Sequence, residues 1–219
     1  MTKELKKRII TSIILFVLAL LCISINYIVF SIATVIVLFI CFNEWCGINY
    51  KYFSKKKPSS LIFNSYFFVK LLGAFYLVIV FYSSLNLRDE GTVFFIFILC
   101  ICVFSDIGGY IFGKTIGGKR LTKISPNKTI SGSAGSFIFS LLTLILFNYD
   151  LILKNLLFCL IVSLSCQLGD LIISYFKRLN KVKDTGNILP GHGGLLDRID
   201  GIIFAIPIVH TLKNFLGIF

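Results

Sequence analysis

Charge is scarce in this 219-residue chain: Asp, Glu, Lys and Arg make up only 15% of it, where soluble domains carry about 25%. Acids are scarcer than bases, 10 against 22, for a formal net charge of +12. In a soluble protein that imbalance would suggest a nucleic-acid partner. Here 57% of residues are apolar and mean hydropathy is +0.91, so no nucleic-acid role is expected. Paired cysteines are also missing. The seven Cys are an odd set, none stands in a C-x-x-C pair, and nearly all fall inside apolar runs, which excludes a secreted disulfide domain. No internal repeat is visible, which removes the repeated halves typical of ion-coupled transporters.

What is present is a series of long apolar runs, which a soluble domain could not bury. A spanning helix needs about 20 residues to cross about 30 Å of hydrocarbon. The 38 positions from Ile9 to Cys46 suit two helices, with Asn26 and Tyr27 as the polar turn between them. Further spans are expected near 64–85, 92–112, 131–149, 154–174 and 200–218. The reading is an all-α, polytopic integral membrane protein of about seven transmembrane helices. The basic N-terminus followed by apolar sequence resembles a signal peptide, but no small-residue cleavage site follows, so a retained first helix is expected. An N-terminal transmembrane region of about three helices covers 1–85. A C-terminal transmembrane region, 86–219, carries the polar motifs.

The basic residues set the orientation. They gather at Lys3–Arg8, at Lys51–Lys57, from Lys114 to Lys128, and from Lys177 to Arg198, which are alternate ends of the expected helices. These stretches hold 18 of the 22 bases and are assigned to the cytosol, with the N-terminus.

Carboxylates inside a bilayer are expensive and usually mark function. Asp106, Asp170 and Asp200 fall within or at the ends of spans on the cytosolic side, and Asp197 lies one turn before Asp200. Asp170, Ser174, Lys177 and Arg178 share one helical face. Carboxylates from several helices beside a basic rim suit Mg²⁺ and substrate phosphates. Structural salt bridges are the alternative reading of each acid alone. Glu44, beside Trp45, is read as an interfacial anchoring pair.

Two polar stretches suit phosphate. Gly113–Gly132 combines Gly, Lys, Ser and Thr, with a Ser125-Pro126 turn before Lys128-Thr129. Within its approach, Gly108 to Thr115 matches G-x-x-x-x-G-K-[ST] letter for letter. It follows a long apolar run with no sheet around it and includes Tyr110 and Phe112, so the match is read as accidental. The second stretch, Lys177–Asp200, surrounds His192 with Gly191, Gly193 and Gly194. The other histidine, His210, is expected at the opposite face, so zinc is not expected.

From Ser174 through Lys177-Arg178, Lys183-Asp184 and Pro190-Gly-His192-Gly193-Gly194-Leu-Leu-Asp197-Arg198-Ile-Asp200, the sequence resembles the signature of phosphatidate cytidylyltransferases, or CDP-diacylglycerol synthases. The upstream Ser105-Asp106-Ile-Gly-Gly-Tyr110 run and Ile124-Ser125-Pro126-Asn-Lys128-Thr129 resemble the same family. The resemblance covers about 86–205. Ser131 stands where the family usually has an acid, and the N-terminal half is shorter by a helix or two. Asn43-Glu44-Trp45 is a faint echo of an early family motif.

The resemblance implies transfer of a cytidylyl group from CTP to phosphatidic acid, at the cytosolic face of a bacterial-type plasma membrane, by a homodimer. It implies Asp170 and Asp197 as metal ligands, with Asp106 and Asp200 as second choices, Mg²⁺ as the ion, and a monovalent cation such as K⁺ alongside. Asp170, Asp197, Lys177 and Arg178 become the catalytic candidates. Ser125, Lys128, Thr129, His192, Gly193, Gly194 and Arg198 become the candidates for substrate contact. The rival readings are a CTP-dependent polyprenol kinase and an ion-coupled transporter.

Overall fold

Helix formation follows the apolar runs, and each break has a local cause. The computed structural model describes residues 3–53, 60–122, 125, 128–189 and 193–216. Among these are seven helices: α1 (Lys3–Ile25), α2 (Tyr27–Phe53), α3 (Ser60–Asp89), α4 (Thr92–Thr115), α5 (Ile130–Leu146), α6 (Leu153–Leu179) and α7 (Leu196–Leu216). The described residues contain no strand longer than an isolated bridge. The run from Ile9 to Cys46 divides at Asn26, whose Oδ1 accepts from the Val29 N–H at 2.7 Å and so caps α2.

Among the described residues, four stretches are long and apolar enough to cross a bilayer: Tyr27–Tyr50, Asn64–Asp89, Thr92–Thr115 and Leu153–Leu179. Ile14–Ile25 and Ile130–Leu146 are apolar but shorter. α7 continues through Pro207 without a break, and Thr211 Oγ1 donates to the Pro207 carbonyl at 2.8 Å. Large apolar side chains face outward on α2 and α3, among them Ile28, Phe39, Phe67 and Phe75, as a lipid-facing surface requires. The chain is a polytopic integral membrane protein.

Two helices run beyond their apolar stretches. α4 continues to Thr115, so Gly108–Thr115 is helical and forms no phosphate loop. α6 continues to Leu179, beyond the expected apolar span, which puts Lys177 and Arg178 in its last turn, on the helix that also carries Asp170 and Ser174. Hydropathy falls where charges begin, but helical hydrogen bonding continues, and cations there suit the negative end of the helix dipole.

The chain forms two compact units, and the division falls within α6 and α7. One unit comprises 1–92 and 176–199. In it α2 packs on both α1 and α3. Trp45 Nε1 donates to the Val69 carbonyl at 3.3 Å, and its indole lies against Gly73, where a side chain would collide with it. Arg88 reaches the Ile23 carbonyl at 3.3 Å and satisfies a free acceptor near the end of α1.

The other unit comprises 93–175 and 200–219. Its core holds Phe97, Ile98, Ile101, Phe158 and Val162, all fully buried. The Ser105 and Ser163 hydroxyls join α4 to α6 at 2.8 Å. Small residues let α4 and α5 approach closely. A side chain at Gly108 would strike the Gly135 carbonyl and Phe139, and one at Gly135 would strike Phe112.

Candidate active site

In the unit of residues 93–175 and 200–219, the polar segment before α5 folds back on itself. Leu121 N–H donates to the Lys128 carbonyl at 2.7 Å, and Ile130 N–H donates to the Lys119 carbonyl at 3.0 Å. Ser125 closes a turn, its carbonyl accepting from Lys128 N–H at 3.1 Å. Thr129 is the N-cap of α5: its backbone is extended, and Oγ1 accepts from Gly132 N–H at 3.1 Å. Ser131, at the position of the family's usual acid, donates to the Gly117 carbonyl and ties the preceding turn to α5.

This construction sets Lys128 against Asp170 of α6 as an ion pair, with 26% and 32% of the two side chains exposed. Ser174, one turn along α6, donates to Asp170 Oδ1 at 3.3 Å. Asp106, Lys128, Thr129, Ser133, Gln167 and Asp170 all line one cavity of about 170 Å³. Ser133 Oγ donates to Gln167 Oε1 at 2.6 Å, and the Cys166 thiol donates to Asp106 Oδ1 at 3.9 Å. The cavity therefore joins two carboxylates, one ammonium group and the positive end of α5, a setting for anionic oxygen and a hard cation. Asp200 also belongs to this unit, and its Oδ1 accepts from the next N–H, that of Gly201, at 2.9 Å.

The unit of residues 1–92 and 176–199 holds a second carboxylate–lysine pair. Lys177 Nζ donates to Asp197 Oδ1 at 2.7 Å, and only 11% and 6% of the side chains are exposed. Asp197 Oδ2 accepts from Thr185 N–H at 2.7 Å, from Thr185 Oγ1 at 3.0 Å and from Gly194 N–H at 3.2 Å. Asp197 lies in the first turn of α7, where the helix dipole favours a negative charge. Gly193 adopts φ +83°, a backbone region that favours glycine. Gly194 has no room for a side chain beside Thr185 and Glu44. Arg178 and Arg198 are exposed. His192 lies outside the described residues.

Glu44 departs from its expected place. It is not an interfacial partner of Trp45, whose ring lies edge-on to Phe176 at 4.8 Å. Glu44 is 6% exposed and accepts from Thr185 Oγ1 at 2.8 Å and from Leu195 and Leu196 N–H at 2.9 Å each. The only sequence sign of this was an acid in the last turns of a span, beside the Asn43-Trp45 echo.

Among the described residues, no three His, Cys, Asp or Glu side chains gather as a ligand cluster. The oxygen donors of the cavity still fit Mg²⁺, which keeps several waters and is held by one or two carboxylates together with substrate phosphates.

Residues 57–216 match the cytidylyltransferase family model. The chain is 40% identical over 150 residues to a phosphatidate cytidylyltransferase of Bacillus subtilis (strain 168), covering 64% of this chain and 56% of that protein. It is 41% identical over 148 residues to the phosphatidate cytidylyltransferase of Staphylococcus aureus (strain COL), covering 65% and 57%. A Staphylococcus saprophyticus protein of the same name is 40% identical over 148 residues, with the same coverage. The chain thus spans a little over half the length of the curated relatives it matches. With a match that takes in both polar stretches and five of the seven helices, the chain belongs to the cytidylyltransferase family.

Proposed function

We propose that this protein transfers the cytidylyl group of CTP to phosphatidic acid, giving CDP-diacylglycerol and pyrophosphate for phospholipid synthesis. Family membership is the observation that carries the reading. The cavity that joins Asp106, Asp170, Lys128 and the start of α5 supports it. A phosphate oxygen of phosphatidic acid attacks the α-phosphorus of CTP. The new P–O bond forms as the bond to the bridging β-phosphate oxygen breaks, and pyrophosphate leaves with that electron pair. The reaction needs no covalent enzyme intermediate, so the protein's task is alignment and neutralisation of charge.

Lys128 and the N-terminus of α5 attract phosphate oxygens, and Thr129 holds that helix end in place. Lys177, Arg178, Arg198, His192, Gly193 and Gly194 are assigned to the remaining phosphate contacts. Asp170 with Asp106 are the residues that would hold Mg²⁺, with Asp197 and Asp200 as further candidates and K⁺ alongside. When bound, the ion neutralises developing charge on the phosphate oxygens. The N-terminus and both polar segments are assigned to the cytosolic face, where CTP is available and the acyl chains stay in lipid, and the basic stretches support that orientation. The assembly is assigned as a homodimer on the family resemblance, with cross-linking in membranes as its check.

The test is a labelled-product assay with purified protein in detergent, phosphatidic acid and a Mg²⁺ titration. CTP labelled at the α-phosphate is expected to transfer its label to lipid, and γ-labelled CTP to release labelled pyrophosphate. Label from the γ-phosphate in lipid would instead identify a kinase and refute the proposal.

A further inference from the structure

Glu44 is buried near the end of α2, and among the described residues it has no Lys or Arg within ion-pair distance. A carboxylate in that position is tolerated only if hydrogen-bond donors replace water. Its donors all come from the chain between α6 and α7 and from the start of α7. Oε1 takes the Leu195 N–H, while Oε2 takes the Leu196 N–H and the Thr185 hydroxyl. The first N–H groups of a helix have no intrahelical acceptor. Glu44 therefore caps α7 from a residue 152 positions earlier in the chain.

The same carboxylate reaches Asp197 indirectly. Thr185 Oγ1 lies 2.8 Å from Glu44 Oε2 and 3.0 Å from Asp197 Oδ2, so its single proton is shared between the two carboxylates. Thr185 N–H also donates to Asp197 Oδ2. A side chain at Gly186 would strike Glu44, and one at Gly194 would strike both Glu44 and Thr185. The segment is thus shaped closely around this acid. We infer that Glu44 is a positioning residue: it holds Thr185 and the first residues of α7 so that Asp197 keeps one orientation for the phosphate chemistry. It does this without touching substrate. The inference rests on the proposed cytidylyl transfer for its catalytic meaning, while the clamp itself is testable without turnover.

The experiment compares wild type with Glu44→Gln, Glu44→Ala, Thr185→Val and the Glu44→Gln/Thr185→Val double variant, as full-length protein in detergent. Amide hydrogen exchange is followed in peptides covering 182–197, with α5 as the internal reference. Glu44→Gln turns one acceptor oxygen into a donor facing an N–H, so exchange at Leu195 and Leu196 is expected to rise while α5 is unchanged. Turnover is expected to fall about 10–100-fold, as when a hydrogen-bond partner that supports a site residue is removed. KM for phosphatidic acid is expected to stay within about twofold, because the loss falls on alignment. The Thr185 and Glu44 effects should be less than additive, since one acts through the other. Unchanged exchange at 193–197, equal loosening of α5, or near-normal turnover in Glu44→Gln each overturns the inference. If wild type makes no CDP-diacylglycerol, the functional reading fails, and the exchange result still decides whether Glu44 holds the segment.

Discussion

The two carboxylate–lysine pairs have the same composition and opposite construction. Asp197 meets Lys177, the Thr185 amide and hydroxyl, and the Gly194 amide, with only 6% of its side chain exposed. A carboxylate has about four lone-pair sites, and three N–H donors with a share of the Thr185 proton, which also faces Glu44, occupy them. Asp170 meets the Lys128 ammonium and one long hydrogen bond from Ser174, with 32% of its side chain exposed at a cavity wall. One acid is saturated by its own surroundings, and the other keeps acceptor capacity for an added cation. Residue type alone does not separate a framework carboxylate from an available one. The number and origin of its donors do.

The sharpest test of the contrast begins with Asp197→Asn. The substitution leaves Lys177 buried without its counter-charge, and breaking such a pair costs about 3–5 kcal/mol. It also turns an acceptor toward N–H donors. A fall in melting temperature together with loss of turnover is expected in a detergent thermal-shift and product assay. A stable, fully folded Asp197→Asn protein would erase the distinction between the pairs.

Asp170→Asn should separate the two effects. Its partly exposed ion pair contributes about 0–1 kcal/mol, so the melting temperature should move little. Turnover should nevertheless fall by more than about 100-fold, because the change removes charge from the proposed ion-binding wall. Mg²⁺ binding measured without substrate should weaken in parallel. Wild-type Mg²⁺ affinity in this variant would remove Asp170 from the ligand set and leave the cavity as a phosphate site only.

How much of this could be read from sequence depends on distance along the chain. The α1–α2 break was legible because Asn26 is a polar residue within apolar sequence, and its side chain makes the cap found there. The rejected nucleotide-loop match at Gly108–Thr115 was legible from the same hydropathy, and those residues are helical. At α6 the apolar span ends before the helix does, and the shared spacing of Asp170, Ser174, Lys177 and Arg178 was the sign that the helix runs on into the charged residues. Asp170 and Asp197 were singled out by their place in or beside spans and by motif resemblance. Their different surroundings were not legible, because the deciding partners come from other segments: Lys128 on one side, Lys177 and Thr185 on the other. Glu44 was hidden more deeply still. Nothing local to α2 indicates that its donors stand 141 to 152 residues onward.

The smallest predicted effect tests whether the open pair depends on the helix end beside it. Thr129→Ala removes the acceptor that holds Gly132 N–H at the start of α5, and an N-cap loss of this kind costs about 1 kcal/mol. Thr129→Ser keeps the oxygen and should restore most of that stability. The backbone bonds from Leu121 to Lys128 and from Ile130 to Lys119 remain in both variants, so Lys128 should stay near Asp170. Turnover is therefore expected to fall only severalfold in Thr129→Ala, with KM for CTP rising, because the helix end that attracts phosphate is less ordered while the acid is untouched. A loss as large as that of Asp170→Asn would show that the loop is held by Thr129 rather than by its backbone bonds. The open pair would then be as dependent on a single support as the closed one.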